Sequence, residues 1–307
     1  TGCRDADSQE EQIFRFFSAH HLTMRQIVSL RRIYQQDPVS LLSEDPYRMM
    51  FEVPGIGFET ADKFARSIGL EYDDSRRVRA LAVSLLNKAV MGTGSSYLTD
   101  EEFEQLLARH LEGIEYDSRE VQSELVSHAL AFGEGERIYP KAQYAAEIRI
   151  EAFFRFFPYD SLEKIEGSRL DQMISQLEKE NGIAYGEDQI EALRCFFSED
   201  KMIMTGGPGT GKTTIVKAII QMIRILYPQS TLALAAPTGR AAKRLKELTN
   251  YEARTIHSLL GYDLESGTFS FGADNPVLAD ILIVDEFSMV DSYLFSKLLD
   301  AGALFRK

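Results

Sequence analysis

The sequence predicts an α/β domain with a parallel sheet in its carboxyl-terminal part, preceded by mainly α-helical modules. After Asn181-Gly182, apolar segments of strand length alternate with glycine or proline turns and with helical segments. This order is typical of a parallel sheet covered by helices. Before that point, segments with helical periodicity predominate and the extended segments are short. We therefore expect four segments, at residues 1–75, 76–150, 151–180 and 181–307.

The length and composition favour a globular protein of two or three domains. The chain has 307 residues, of which 44% are hydrophobic and 26% are charged, values that are ordinary for soluble domains. No stretch approaches a transmembrane span, and the acidic residues 5–11 stand where a signal peptide would have its apolar core. Cys3 and Cys195 form no CxxC pair, so neither a disulfide framework nor a zinc site is predicted. We expect a cytoplasmic protein without membrane partners.

The net charge of −13 is unevenly distributed along the chain. From Lys201 onward, 12 Lys and Arg residues stand against 10 Asp and Glu residues, whereas residues 1–200 contain 22 against 37. We interpret the acidic excess as a solvated surface. The carboxyl-terminal part, which is neutral to basic, is where nucleic-acid contacts are expected.

The first two segments are predicted to be helical modules of different kinds. Residues 1–75 contain short helices around a Gly-x-Gly turn at 53–57, and residues 76–150 contain helices, the short extended segment SSYL and the hairpin-like segment GEGERIYP. The second pattern suggests a winged-helix-like module. Thr99 and Ser118 are predicted helix N-caps, and Glu102 completes a capping box with Thr99. Residues 151–180 are predicted to be a helical connector.

The last segment is predicted to contain three strands, each followed by a helix. The strands are expected at Lys201–Thr205, Thr231–Ala236 and Ile281–Val284. The helices are expected to begin near Lys212, Arg240 and Ser292.

A glycine-rich motif connects the first of these strands to its helix. It fits GxxxxGK[ST], whose backbone amides turn inward around phosphate oxygens at a helix N-terminus. Lys212 is expected to contact the β- and γ-phosphates, and the Thr213 hydroxyl to bind Mg²⁺. The expected nucleotide-binding residues of this motif are Gly206, Gly207, Pro208, Gly209, Thr210, Gly211, Lys212, Thr213 and Thr214.

An Asp-Glu pair follows the apolar strand Ile281–Val284. In an open α/β sheet, this position lies at the carboxyl edge where ligands bind. Hydrolysis of a nucleoside triphosphate needs a carboxylate for the metal and a group that polarises the attacking water. We expect Asp285 to hold Mg²⁺ and Glu286 to act as the catalytic base.

Four segments together resemble a known family. GGPGTGKTT, LAAPTGRAAKRL, TIHSLLGY and IVDEFSMVD are similar, in this order, to motifs of the RecD/TraA branch of superfamily 1 DNA helicases. The resemblance covers residues from about 181 to the end, and the upstream modules resemble those of long bacterial RecD-like helicases. It implies a RecA-like motor lobe, with ATP and Mg²⁺ as cofactors. It also implies 5′ to 3′ translocation on single-stranded DNA coupled to unwinding at duplex junctions.

The resemblance also implies roles for residues outside the phosphate-binding loop. Gln189 stands where the family reads adenine, and this favours ATP. The residues at positions where the family contacts single-stranded DNA are Thr238, Gly239, Arg240, Lys243, Thr255 and His257. Ser258 departs from the pattern, because relatives often carry arginine there. Residues 262–271 are expected to form a β-hairpin, which is either a pin that separates duplex strands or an ordinary surface hairpin.

The Gly-x-Gly turn is similar to a helix-hairpin-helix motif. In such motifs the turn amides bind a DNA phosphate without reading sequence. We expect Gly55, Gly57 and Lys63 to contact DNA, although Glu59 and Asp62 oppose a phosphate. The alternative is a purely structural turn.

Two other classes of function are compatible with the motifs. One is an ATP-dependent switch or loader that does not translocate, and the other is a DNA-binding module with a vestigial ATP site. The chain ends 21 residues after Glu286, before any second lobe that could supply arginines to the γ-phosphate. We therefore expect it to bind ATP and DNA but not to unwind DNA by itself.

Overall fold

The computed structural model describes residues 2–158, 160–207, 209–264 and 267–307. It contains two compact units, the first built mainly from residues up to Ala145 and the second mainly from residues after it. In the described part of the chain, we find no helix with the length and apolar character needed to cross a membrane.

Five helices form the amino-terminal part of the first unit. They bury one cluster of apolar side chains that includes Phe17, Leu30 and Phe64, all inaccessible to solvent. The turn between the last two of these helices contains the Gly-x-Gly sequence. The helices are α1 (Gly2–Ala19), α2 (Met24–Ile33), α3 (Pro38–Glu44), α4 (Arg48–Glu52) and α5 (Phe58–Ser67).

The rest of the first unit combines helices with a small antiparallel sheet. In this sheet β3 lies between β1 and β2, with Leu98 opposite Ile138 and Phe132 opposite Tyr139. The sheet and helices share a core that contains Phe103. The elements are α6 (Ser75–Thr93), β1 (Leu98–Thr99), α7 (Asp100–His110), α8 (Ser118–Ser127), β2 (Ala131–Glu134) and β3 (Arg137–Pro140). Helix α9 (Lys141–Phe156) follows and runs across residue 150, where the sequence suggests a boundary.

The two predicted helix caps have different outcomes. Thr99 forms the predicted capping box, because its hydroxyl accepts from the Glu102 amide and the Glu102 carboxylate accepts from the Thr99 amide. The prediction for Ser118 is wrong by one residue. Asp117 caps α8, and its carboxylate accepts hydrogen bonds from the amides of Arg119 and Glu120. An ionised carboxylate is a strong acceptor at the positive end of a helix, so aspartate outcompetes the neighbouring serine.

The second unit is built around a three-stranded parallel sheet. Strand β4 lies between β5 and β8, with Ala236 opposite Thr255 and Ala235 opposite Val284. The hairpin β6–β7 pairs Tyr262 with Phe269, as predicted, although residues 265 and 266 at its tip lie outside the described part. The elements are α10 (Gly167–Asn181), α11 (Glu187–Ser198), α12 (Lys212–Leu226), β4 (Leu232–Ala236), α13 (Gly239–Thr249), β5 (Ala253–Thr255), α14 (Ile256–Leu259), β6 (Tyr262–Asp263), β7 (Thr268–Phe269), β8 (Ile281–Val284), a 3₁₀ helix (Phe287–Met289) and α15 (Ser292–Asp300).

The predicted strand Lys201–Thr205 is not present. These residues are all described and adopt no regular structure, and Ile203 is 91% exposed. In β8, the Leu282 amide donates to the Lys307 carbonyl at 3.0 Å. Residues 201–205 pair with no described strand, and their alternate side chains, Met202 and Met204, pack against the core.

Candidate functional site

The glycine-rich loop has a backbone that side chains would disturb. Gly209 and Gly211 have φ angles of +80° and +86°, in the left-handed region that glycine adopts readily. A Cβ atom on Gly206 would lie 2.8 Å from the Thr210 hydroxyl oxygen, and one on Gly211 would lie 2.5 Å from Gln189 Nε2. Glycine at these positions therefore permits the left-handed turns and leaves room for the Thr210 and Gln189 side chains beside the loop, so that backbone amides can face a polyphosphate. Pro208, also predicted to belong to it, lies outside the described residues.

Lys212 places its positive charge inside this loop. Its ammonium group donates to the carbonyl oxygens of Gly206 and Gly207, the latter at 2.9 Å. The Thr210 hydroxyl also donates to the Gly207 carbonyl, at 3.0 Å. Gly211 is the N-cap of α12 and has no side chain to satisfy the first amides of the helix. The ammonium and these amides form a donor set that suits phosphate oxygens.

Gln189 contacts the loop from α11. Its Nε2 atom donates to the Thr210 carbonyl at 3.1 Å, and its Oε1 atom accepts from the Gly186 amide at 3.0 Å. A glutamine amide has two donor hydrogens and two acceptor lone pairs, so one of each is left for a further partner. Gln189, which is predicted to recognise adenine, is therefore held beside the phosphate-binding loop with one donor hydrogen and one acceptor lone pair still available.

A cavity of about 310 Å³ adjoins the loop on the side of α12. Four of its lining residues, at positions 214, 217, 218 and 221, share one face of α12 because they follow helical spacing. Of the lining residues, only Thr213 and Thr214 were expected from the sequence, although the helical spacing also indicates the other positions on this face of α12. The lining consists of Asn181, Ile183, Tyr185, Thr213, Thr214, Lys217, Ala218, Gln221 and Leu248.

Asp285 and Glu286 follow β8 in two different environments. Asp285 is half-buried, and its amide donates to the Ala235 carbonyl at 3.0 Å, which fixes the end of β8 against β4. Glu286 is exposed and has a φ angle of +52°, which is unfavourable for a residue with a side chain. Such strain often marks functional positions. The Asp285 carboxylate accepts a hydrogen bond from the Glu286 amide at 2.9 Å.

The acidic pair and the loop follow segments that share a core. Met202 and Met204, which lead into the loop, pack in the same apolar cluster as Ile281 and Ile283 of β8. The described residues contain no group of three or more His, Cys, Asp or Glu side chains able to hold a metal. A Mg²⁺ ion retains several waters and binds proteins through one or two groups plus phosphate oxygens. The hydroxyl of Thr213 and the carboxylate of Asp285 fit that requirement.

The predicted DNA-contacting residues after β4 are accessible. Thr238 is the N-cap of α13 and accepts from the Ala241 amide at 3.2 Å, while Gly239 begins the helix. Arg240, Lys243 and Arg244 are exposed on α13. The Lys243 ammonium lies 4.0 Å from the Glu247 carboxylate, and Arg240 and Arg244 form no ion pair with the described residues. These arginines are available to an external anion.

Thr255 and His257 lie next to this segment. Because Ala236 and Thr255 are opposite each other in parallel strands, the chain leaves β4 and β5 at the same edge of the sheet. The Thr255 hydroxyl accepts from the Ser258 amide at 3.0 Å, and the His257 ring is exposed. The residues that the resemblance assigns to single-stranded DNA thus lie together in the second unit.

The turn in the first unit has the features of an anion site. Gly55 and Gly57 are exposed, Gly55 has a φ angle of +82°, and Gly57 is the N-cap of α5 without a side-chain cap. Within the described part of the chain, neither glycine amide donates a hydrogen bond. Lys63 is exposed on the same helix.

The acidic residues near this turn have hydrogen-bond and ion-pair partners that were not expected from the sequence. The carboxylate of Asp62 accepts from Tyr47 Oη at 2.7 Å and from Arg77 Nε at 2.9 Å. Glu59 lies 3.7 Å from the ammonium group of Lys88. Burial raises the pKa of Tyr47, and the hydrogen bond that the Tyr47 hydroxyl donates to Asp62 raises it further. The negative charge of Asp62 is therefore compensated within the unit and opposes a phosphate less than the sequence suggests.

Two family models match the chain. Residues 189–304, which contain the loop and the acidic pair, match the model described as an AAA domain. Residues 6–97 match the model described as the HHH domain of the ATP-dependent RecD2 DNA helicase. Both matches include the segments described above.

The chain is also similar to whole proteins named RecD2 or RecD. The ATP-dependent RecD2 DNA helicase of Deinococcus radiodurans is 32% identical over 294 residues, covering 91% of this chain and 40% of that protein. The RecBCD enzyme subunit RecD of Buchnera aphidicola is 38% identical over 119 residues, covering 33% of this chain and 20% of that subunit. The corresponding subunit of Mycolicibacterium smegmatis is 36% identical over 137 residues, covering 38% of this chain and 25% of that subunit. The chain thus spans less than half the length of these relatives.

Proposed function

Because the chain belongs to the RecD-like superfamily 1 helicases, we propose that it supplies the ATP-binding lobe of an ATP-dependent DNA helicase. The observation that carries this proposal is the loop of Gly206, Gly211 and Lys212, which follows a segment sharing a core with β8 and its Asp285-Glu286 pair. That combination provides a phosphate site, a metal ligand and a base in one unit.

The nucleotide is proposed to lie at the start of α12. The loop amides and Lys212 bind the β- and γ-phosphates, and the adenine lies on the side of the loop where Gln189 contacts Thr210. Gln189 then reads adenine with its remaining donor and acceptor. A bound Mg²⁺ would neutralise the developing phosphate charge, held by the Thr213 hydroxyl and the Asp285 carboxylate. The exposed carboxylate of Glu286 accepts a proton from the attacking water.

The DNA track is proposed to cross the carboxyl edge of the sheet. Thr238, Gly239 and Thr255 offer polar groups to the backbone of single-stranded DNA, with Arg240 and Lys243 providing positive charge. Translocation is 5′ to 3′, and the hairpin β6–β7 acts at the duplex junction. The turn at Gly55 and Gly57, with Lys63, holds DNA phosphate independently of sequence. Because its proposed track is DNA, we place the protein in the cytoplasm.

Coupling between ATP and DNA tests this proposal. A motor must bind its track with different affinity in different nucleotide states, and such coupling is reciprocal. The affinity for an oligodeoxythymidylate is measured by anisotropy with and without a non-hydrolysable Mg-ATP analogue, and a change of roughly fivefold or more is expected. Glu286→Gln should preserve this coupling while stopping any ATP turnover. DNA affinity that is the same with and without the nucleotide would favour a DNA-binding module with a vestigial ATP site, and nucleotide binding without DNA binding would favour a switch or loader.

A further inference from the structure

Three aromatic rings form a cluster at the base of the hairpin β6–β7. The ring centroids of Tyr262 and Phe269 are 5.0 Å apart, and the His257 ring meets Tyr262 edge to face at 5.3 Å. The third pair, His257 and Phe269, is 6.0 Å apart. Each ring therefore contacts the other two.

The cluster is anchored on one side and open on the other. Phe269 packs against the core that contains Ile256 and Leu260. Tyr262 is 37% exposed, and His257 is also exposed. A cluster that served only to complete the core would bury its rings, because burial of aromatic surface is what stabilises such packing. Here two of the three rings remain at the surface.

The backbone beneath the rings is fixed by several contacts. Gly261 has a φ angle of +62°, and a Cβ atom there would lie 3.0 Å from Ser270 Cβ, so the two ends of the hairpin approach closely. The Ser270 hydroxyl donates to the Gly261 carbonyl at 3.0 Å, and Asn275 Nδ2 donates to the Ser270 carbonyl at 3.0 Å. The rings are thus held in place before any ligand binds, which lowers the entropic cost of binding.

The cluster continues the proposed DNA track. His257 stands two residues after Thr255, at the sheet edge that Thr255 shares with the segment leading to Thr238. Thr238 and Thr255 offer polar groups to a nucleic-acid backbone, but neither offers a flat face on which a base can stack. Exposed aromatic faces beside a backbone-binding edge are what a single strand requires, because every base has a face that can stack.

We propose that His257, Tyr262 and Phe269 form a stacking platform for an unpaired base of single-stranded DNA. Tyr262 provides the ring that the base contacts, while Phe269 and His257 hold it in position. The proposal rests on the proposed function, since it assigns a base-binding role within the same DNA track. Stacking makes little use of base identity, so the platform binds any sequence.

The test compares the affinity for an oligonucleotide that carries bases with the affinity for one that has only the sugar-phosphate backbone. Binding of the chain to an oligodeoxythymidylate is measured by anisotropy beside an oligonucleotide of equal length that carries abasic sites, which keeps the phosphates and removes the stacking faces. The unsubstituted chain should prefer the oligonucleotide with bases by roughly 5- to 150-fold, the range of a single stacked base.

Variants of Tyr262 identify the ring responsible. Tyr262→Leu keeps an apolar side chain over Phe269 but lacks a flat face, so it should lose the preference. Tyr262→Phe keeps the face and should retain the preference. Leu264→Ala is the matched control, because Leu264 is 88% exposed in the same hairpin and has no ring. It should behave like the unsubstituted chain.

Three outcomes would overturn the proposal. Equal binding of both oligonucleotides by the unsubstituted chain removes the platform and leaves the proposed function intact. A Tyr262→Leu variant that keeps the full preference removes Tyr262 from it. Failure to bind either oligonucleotide overturns the platform together with the DNA track on which it rests.

Discussion

Single residues of the phosphate-binding loop are subject to two separate steric limits. Gly209 and Gly211 share a positive φ angle, but only Gly211 also has a neighbour within contact distance of an added Cβ, the Gln189 amide. Because that amide is the end of a flexible side chain, it can move aside. An alanine at position 211 therefore displaces the residue proposed to read adenine, whereas an alanine at position 209 strains only the backbone.

Gly211→Ala is expected to reduce the preference for ATP over GTP, whereas Gly209→Ala preserves it. Both variants bear the cost of a left-handed alanine, about 1–2 kcal/mol, so both bind nucleotide more weakly. Competition calorimetry with the two nucleotides measures the difference between them. If both variants discriminate equally, Gln189 does not read the base from this position.

Lys212→Ala is expected to weaken Mg-ATP binding without unfolding the chain. Among the residues that the structure describes, the Lys212 ammonium donates only to loop carbonyls, so its removal leaves the core unchanged. A hydrogen bond to a charged group contributes about 1.5–3 kcal/mol, and the dissociation constant should rise at least about tenfold for each one lost. Calorimetry checks this, with Lys246→Ala as control because Lys246 pairs with Glu252 on the surface. Unchanged affinity in folded Lys212→Ala contradicts the proposed site.

At the scale of elements, helix ends are determined by whichever nearby side chain reaches the free amides best. Thr99 and Asp117 both do so, and each helix begins at the next residue. The second case shows a limit of sequence reasoning. Adjacent Asp117 and Ser118 are both good N-caps, and the choice between them depends on the direction from which the preceding loop arrives.

Asp117→Ala is expected to destabilise the first unit by about 1 kcal/mol, the usual effect of removing an N-cap. Ser118→Ala changes the adjacent residue but removes no observed cap, so its effect should stay within about 0.5 kcal/mol. Urea unfolding of the two variants measures the free energies of unfolding. An equal decrease in the free energy of unfolding of both variants would mean that Ser118 shares the capping role.

At the scale of the whole molecule, the modules differ in their net charge. The segment from β1 to β3 is strongly acidic, since residues 98–140 contain 3 Arg and 11 Asp or Glu. Residues 201–307 are slightly basic, with arginines exposed on α13. Nucleic acid is attracted to local positive charge even where the net charge is negative. The salt dependence of DNA binding should therefore report on α13 and not on the net charge.

We expect single-strand affinity to fall with salt on a log-log slope of about −0.7 for each phosphate neutralised. Arg240→Ala combined with Lys243→Ala should make this slope shallower. Arg109→Ala combined with Arg119→Ala makes the same change in net charge on the acidic segment, where both residues are exposed, and should leave the slope unchanged. Anisotropy titrations at several salt concentrations give the slopes. Identical slopes for the two double variants would show that α13 does not contact the backbone.

Features that depend on neighbouring positions were predictable from the sequence. The glycine pattern and Lys212 specify the loop, the apolar run before Asp285 specifies β8, and Thr99 with Glu102 specifies a capping box. Each depends on contacts between residues a few positions apart, so composition and spacing contain the necessary information. The helix at Lys212 and the strand Ile281–Val284 accordingly form where they were expected.

Features that depend on distant partners were decided only by the tertiary structure. Residues 201–205 have the apolar pattern of a strand but remain irregular, since no described strand lies beside them to pair with. Asp62 looks unsuitable beside a phosphate until Arg77, 15 residues away, is placed against it. His257 looks like an isolated residue until the hairpin brings Tyr262 and Phe269 to it. Strand pairing, ion pairs and ring contacts are made through space, and the spacing of residues along the chain does not determine which distant groups will meet.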